Sequence, residues 1–80
     1  MLPKFMEIPK IQIVMAFVST CIETTARYLN VSYKEVFERM KKVDMIEKYI
    51  FENYETLHTQ SREYIAEDMV ECLKIWEAKK

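Results

Sequence analysis

The chain has 80 residues, half of them hydrophobic, with 12 Lys and Arg against 13 Asp and Glu, a formal net charge of -1. That balance removes any general pull toward nucleic acid or an anionic membrane, and the length fits one helical domain, 1-80, whose residues 1-9 form an irregular N-terminal segment. Glycine is absent altogether, which excludes phosphate-cradling loops and dinucleotide fingerprints, since both need backbone that only glycine supplies.

The two prolines, Pro3 and Pro9, lie near the start. Without either breaker beyond them, the pattern predicts an all-α fold, a small bundle of four helices over about 10-29, 33-42, 45-53 and 61-77. In the first helix Ile11, Val14, Val18, Ile22 and Leu29 share one stripe. Ile13, Met15, Phe17 and Cys21 widen it until the first half is apolar nearly all round. Such a helix is central in its bundle or lies in an interface. The uncharged run from Ile11 to Ile22 resembles the core of a secretory signal, and Val18-Ser19-Thr20-Cys21 resembles a lipoprotein cleavage box. Thr20 stands where a small Ala or Gly is expected, Glu7 and Pro9 interrupt the approach, and the run is too short to span a bilayer. The reading is therefore a buried helix, ended by Asn30 as a left-handed cap.

Ser32-Tyr33-Lys34-Glu35 is a capping box that opens the second helix, with Val31 and Val36 in the staple positions. Val36, Phe37 and Met40 are expected inward, and Arg39, Lys41 and Lys42 outward. Asp44, with Glu47 three residues on, is expected to cap the third helix, which buries Ile46, Tyr49 and Ile50 with help from Met45 or Phe51 and ends at Asn53. Residues 54–60 lack helical periodicity and read as a loop with Leu57 tucked inward. Thr59 or Ser61 caps the last helix, whose stripe is Ile65, Met69, Cys72, Leu73 and Trp76. The tail Ala78-Lys79-Lys80 is expected to fray.

Each chemical candidate has a plain structural counterpart. His58, the single histidine, could be a general base acting with Thr59 or Ser61, but no acid–base–nucleophile spacing accompanies it. Cys21 and Cys72 lie on apolar faces without the cationic surroundings that activate a thiol, and read as buried and free. Glu63, Glu67, Asp68 and Glu71 form an acidic strip that reads as a solvated face, since a bundle metal site would need inward carboxylates or histidines from other helices. Arg39, Lys41, Lys42 and Lys48 form a basic turn, yet the helix after it offers few groups for base edges. The five tyrosines suit core rims and contact surfaces alike.

Leu29-Asn30-Val31-Ser32-Tyr33-Lys34-Glu35-Val36-Phe37, Ile46-Glu47-Lys48-Tyr49-Ile50, Tyr54-Glu55-Thr56-Leu57-His58-Thr59-Gln60 and Tyr64-Ile65-Ala66-Glu67-Asp68 together resemble a family of small bacterial proteins, domain of unknown function 3791. The resemblance covers about residues 11 to 74. Its most specific part is Leu57-His58-Thr59-Gln60 ahead of Tyr64-Ile65 and Asp68. Two departures stand out. Ser61 occupies a place where the family commonly has Gly, and Val43-Asp44 stands where a Gly usually separates helices two and three. The resemblance implies a helical domain with no established enzyme activity. It also implies genomic neighbours that are ADP-ribosyltransferase-like toxin proteins, and hence an accessory or antitoxin-like role.

The combined expectation is a cytoplasmic, non-catalytic protein-interaction module with no cofactor, metal or membrane. It binds a protein partner, or a second copy of itself through helix one. The candidate motif is Tyr54, Leu57, His58, Thr59, Gln60, Tyr64 and Asp68, which either makes contacts or only fixes the loop and the last helix. The alternative is a nucleic-acid-binding regulator using the basic turn.

Overall fold

The computed structural model describes residues 10–79; the expected irregular segment 1-9 and the final Lys80 lie outside the described residues. α1 runs over Lys10–Leu29 and turns Val14, Val18, Cys21, Ile22, Thr25 and Ala26 inward. These recur at steps of three and four, so they form one stripe at 3.6 residues per turn. The polar member, Thr25, donates its hydroxyl to the Cys21 carbonyl at 2.7 Å, which makes its burial tolerable. α2 (Tyr33–Lys42) contributes Val36 and Met40, and α4 (Arg62–Ala78) contributes Ile65, Met69, Cys72 and Leu73. Both pack on α1, as does a π-helical segment, Ile46–Phe51, that adds the fully buried Ile50. A single helical turn, α3 (Tyr54–Leu57), follows the π segment.

The fold is all-α, as the pattern predicts, with no strand among the described residues. Three helices fall within a residue of their expected bounds, and the count of four is approximate because the middle of the chain divides in two. The third helix is π-helical rather than α-helical, and residues 54–57, expected as loop, close one helical turn. Hydrophobic periodicity cannot report a π turn, which holds one more residue than its pattern assumes. Leu57 is buried as expected, at 4% exposure.

Two inward assignments do not hold. Ile11 is 56% exposed, with Ile13 and Met15 also exposed. Burial of α1 begins at Val14, so its first turn runs past the side chains that cover the rest. Phe37 is exposed, with the Lys41 ammonium over its ring at 5.9 Å from the centre. Arg39, expected outward, is instead half-buried. Its Nε and Nη2 each donate to Glu77 at 2.8 Å, a two-pronged bridge from α2 to the end of α4. Arg39 accordingly holds the Glu77 carboxyl below the usual carboxylate range.

With no glycine available, the two left-handed positions fall to Asn30 at φ 59° and Asp44 at φ 60°, the types that tolerate that region best. At Asn30 the Val31 N–H reaches the Ala26 carbonyl at 3.0 Å and the Asn30 N–H reaches that of Arg27 at 3.2 Å, the Schellman closure. Ser32 caps α2 as expected, accepting from the Glu35 N–H at 3.1 Å. The Glu35 carboxylate faces Arg39 at 3.8 Å. Asp44 is not the expected N-cap: the backbone reverses there, and no side chain caps the π segment. The positive φ at Asp44 is one that a Gly would adopt without strain. Ser61 accepts from the Tyr64 N–H at 3.2 Å and is extended, so that position needs no glycine.

Changing Asp44→Val should cost about 1–2 kcal/mol, because a β-branched residue fits the left-handed region poorly. Asp44→Gly should cost nothing or stabilise slightly. Urea unfolding of both variants measures the difference, and equal losses would contradict the assignment.

Candidate functional site

The seven motif residues divide into three sets with different work. Leu57 is core, held in a turn whose Leu57 and Thr56 N–H groups donate to the Asn53 carbonyl at 2.8 and 3.1 Å. Thr59 and Gln60 are exposed and close the next turn: the Thr59 hydroxyl donates to the Thr56 carbonyl at 2.8 Å, and the Gln60 N–H to that of Leu57 at 3.0 Å. The local backbone accounts for these two.

Tyr54 and His58 form the second set. Four residues apart, their rings stack with centres 4.6 Å apart and planes within 13°. The Tyr54 ring also meets Phe17 of α1 edge-on at 5.4 Å, the preferred geometry for rings of opposed edge and face charge. Glu55 lies beside them. One carboxylate oxygen accepts from Lys10 Nζ at 2.8 Å and the other is 3.8 Å from His58 Nε2. Lys10 holds the Glu55 carboxyl below its ordinary range, chiefly through that hydrogen bond. The pair is open to solvent and adds little stability. Ile13, one helical turn before Phe17, is 42% exposed. Phe17, Lys10 and Glu55 are absent from the motif that sequence reading isolates, because spacing along the chain does not show that α3 lands on α1.

Asp68 and Tyr64, on α4, form the third set. Asp68 accepts from the Tyr49 hydroxyl at 2.6 Å, and the Tyr49 ring packs edge-on against Trp76 at 6.1 Å. Burial, then the Asp68 hydrogen bond, pushes the Tyr49 phenol well above its ordinary pKa. The exposed Tyr64 lines a shallow cleft of about 280 Å³ with Glu67, Asp68 and Glu71. A second cleft, about 350 Å³, lies between α1 and α4 at Tyr28 and Ala66, with Arg27, Arg62, Glu63 and Glu67 on its walls. A third, about 730 Å³, follows the outer face of α2 past Lys34, Glu38 and Lys41. The clefts beside Tyr28 and along α2 mix charges of both signs, the one at Tyr64 carries only carboxylates, and His58 lines none of the three.

Among the described residues, no three of His, Cys, Asp and Glu gather closely enough to hold a metal ion. No described helix is long and apolar enough to cross a membrane. Cys21 and Cys72 are free and buried. Burial, followed by the nearby Asp68 charge, pushes Cys21 up to about 12 and Cys72 up to about 11. Both are therefore poor nucleophiles at neutral pH.

These are features of a small all-helical domain with aromatic rings packed on one another. A family model described as "Protein of unknown function (DUF3791)" matches residues 16–76. The chain belongs to that family. No curated protein and no solved structure matches the chain. The family match spans Phe17, Tyr49 and all seven motif residues, while Lys10 and Ile13 fall outside it.

Unfolded thiols ionise near pH 8.5, whereas the folded ones ionise near 12 and 11. The folded chain thus holds these protons more tightly. The associated stability is complete below the unfolded pKa and is lost as pH rises toward the folded values. A thiol-reactive disulfide reagent at pH 8 should label neither cysteine until urea unfolds the chain. Unfolding free energy should fall from about pH 9 upward, and less steeply in Cys21→Ala. Rapid labelling of the native protein would contradict this.

Proposed function

We propose that the chain is a non-catalytic protein-interaction or accessory module, cytoplasmic and without cofactor or metal. The observation that carries this reading is the aromatic step of Phe17, Tyr54 and His58, flanked by exposed Ile13 and by the Lys10–Glu55 pair. Aromatic rings with polar tips beside an exposed apolar residue are typical anchors of protein contacts. These groups come from two separate stretches of the chain, one on α1 and one around α3, and Tyr54 and His58 belong to the candidate motif.

A finer form of the proposal makes the partner an ADP-ribosyltransferase-like protein, with this chain in an antitoxin-like role. It draws on the genomic neighbours that the family resemblance implies. Exposed Ile11 and Met15 of α1 would serve association with a second copy, which light scattering reads directly. The second reading, a nucleic-acid-binding regulator, is supported by exposed Lys41, Lys42 and Lys48 around the turn. It loses Arg39, which Glu77 already engages. Binding to DNA that weakens steeply with salt would favour it.

The test is affinity capture from native cells, comparing wild type with His58→Ala and Ile13→Asp, each checked for unchanged helicity. One defined protein should be retained by wild type and reduced about tenfold or more by either change, the scale of an interface hot spot. A monomer whose captured proteins do not differ between wild type and variants would contradict the proposal.

A further inference from the structure

The geometry points to the Tyr49–Asp68 hydrogen bond as the device that fixes the π segment and, through it, the placement of the Tyr54–His58 stack on Phe17. Its bearing on partner binding rests on the interaction reading above.

The path is continuous and short. Asp68, on α4, accepts from the Tyr49 hydroxyl at 2.6 Å. The Tyr49 backbone carbonyl accepts twice from Asn53, from its side-chain Nδ2 at 2.8 Å and its N–H at 3.0 Å. The Asn53 carbonyl in turn accepts from the Leu57 N–H at 2.8 Å, and the Tyr54 carbonyl accepts from the His58 N–H at 3.0 Å. Three consecutive links thus run from a side chain of α4 to the turn that carries both stacked rings.

A π turn holds one residue more than an α turn, and such turns recur at functional positions. Rewinding Ile46–Phe51 as α-helix would shift the register after it by a residue and rotate Tyr54 and His58 off Phe17. Ile50 is fully buried and anchors the segment without selecting between the two windings, since an apolar contact is not directional. The hydrogen bond is directional. Tyr49 and Asp68 are 19 residues apart in the chain, so the bond forms only when α4 and the π segment are docked. Tyr49 and Asp68 are positioning residues in this scheme and need not touch a partner.

The single histidine gives a direct reporter. In the full chain at fixed pH, the His58 ring protons should show the upfield ring-current shift of a stacked imidazole. In Tyr49→Phe, which removes only the hydroxyl, that shift should fall by half or more and the Phe17–Tyr54 contact should weaken. Amide exchange over 46–58 should quicken about tenfold while α1 amides from Val18 to Ala26 keep their rates. Asp68→Ala should reproduce this pattern, and Asp68→Asn, which retains an acceptor oxygen, should stay close to wild type. A merely structural bond would lower the unfolding midpoint and leave the native His58 signal in place. Unchanged His58 and Phe17–Tyr54 signals in both Tyr49→Phe and Asp68→Ala would overturn the proposal, as would uniform acceleration of every amide. A moved His58 signal in a chain that captures no partner would sink the interaction reading and leave this one standing.

Discussion

Val14, Val18, Cys21, Ile22, Thr25 and Ala26 have to leave water together, because they occupy one side of a single 20-residue helix. Three elements that follow share that stripe: α2, with 10 residues, α4, with 17, and the π segment. The stripe gathers nearly every fully buried side chain, among them Met40, Met45, Ile50, Met69 and Leu73. It also sets where polar groups can survive. Thr25 turns back on its own helix, and the Arg39–Glu77 bridge closes the rim where α2 meets α4. α3 lands on Phe17 because the π segment before it is packed on the same spine.

The lack of glycine shapes the joints. Tight reversals need a backbone conformation that L-residues resist, and this chain meets the need with Asn30 and Asp44. Asn30 serves a Schellman closure, which lets α2 fold back after only a short connection. Asp44 breaks the line between α2 and the π segment. Elsewhere the joints are made by serine caps, Ser32 and Ser61, which need no special φ. The short connections follow from this choice of chemistry.

Much of the fold was readable from residue order. The α1 stripe from Val14 to Ile22, the Ser32 cap, the Asn30 ending and the inward Leu57 all rest on local rules, and local rules act within one turn of helix. Asp44 shows the limit of such rules. Aspartate is favoured both as an N-cap and at positive φ, and only the direction taken by the next element separates the two. Ile11 continues the α1 periodicity faithfully, yet periodicity marks a face and not how far along it the neighbours reach. The candidate site was legible in part. Tyr54, His58 and Asp68 stood out as a pattern, but Phe17 and Tyr49 read as ordinary core. Their partners lie 37 and 19 residues away, and no spacing rule spans such distances.

The account depends on the inner stripe of α1 carrying the fold while the first turn of that helix carries none of it. A comparison of Ile22→Ala with Ile11→Ala by urea unfolding separates these two stretches. A chain of this length has about 4–12 kcal/mol to lose. Ile22→Ala should remove about 2–5 kcal/mol of it, and Ile11→Ala should stay within about 0.5 kcal/mol of wild type. Equal losses at the two positions, or a larger loss at Ile11, would contradict the account.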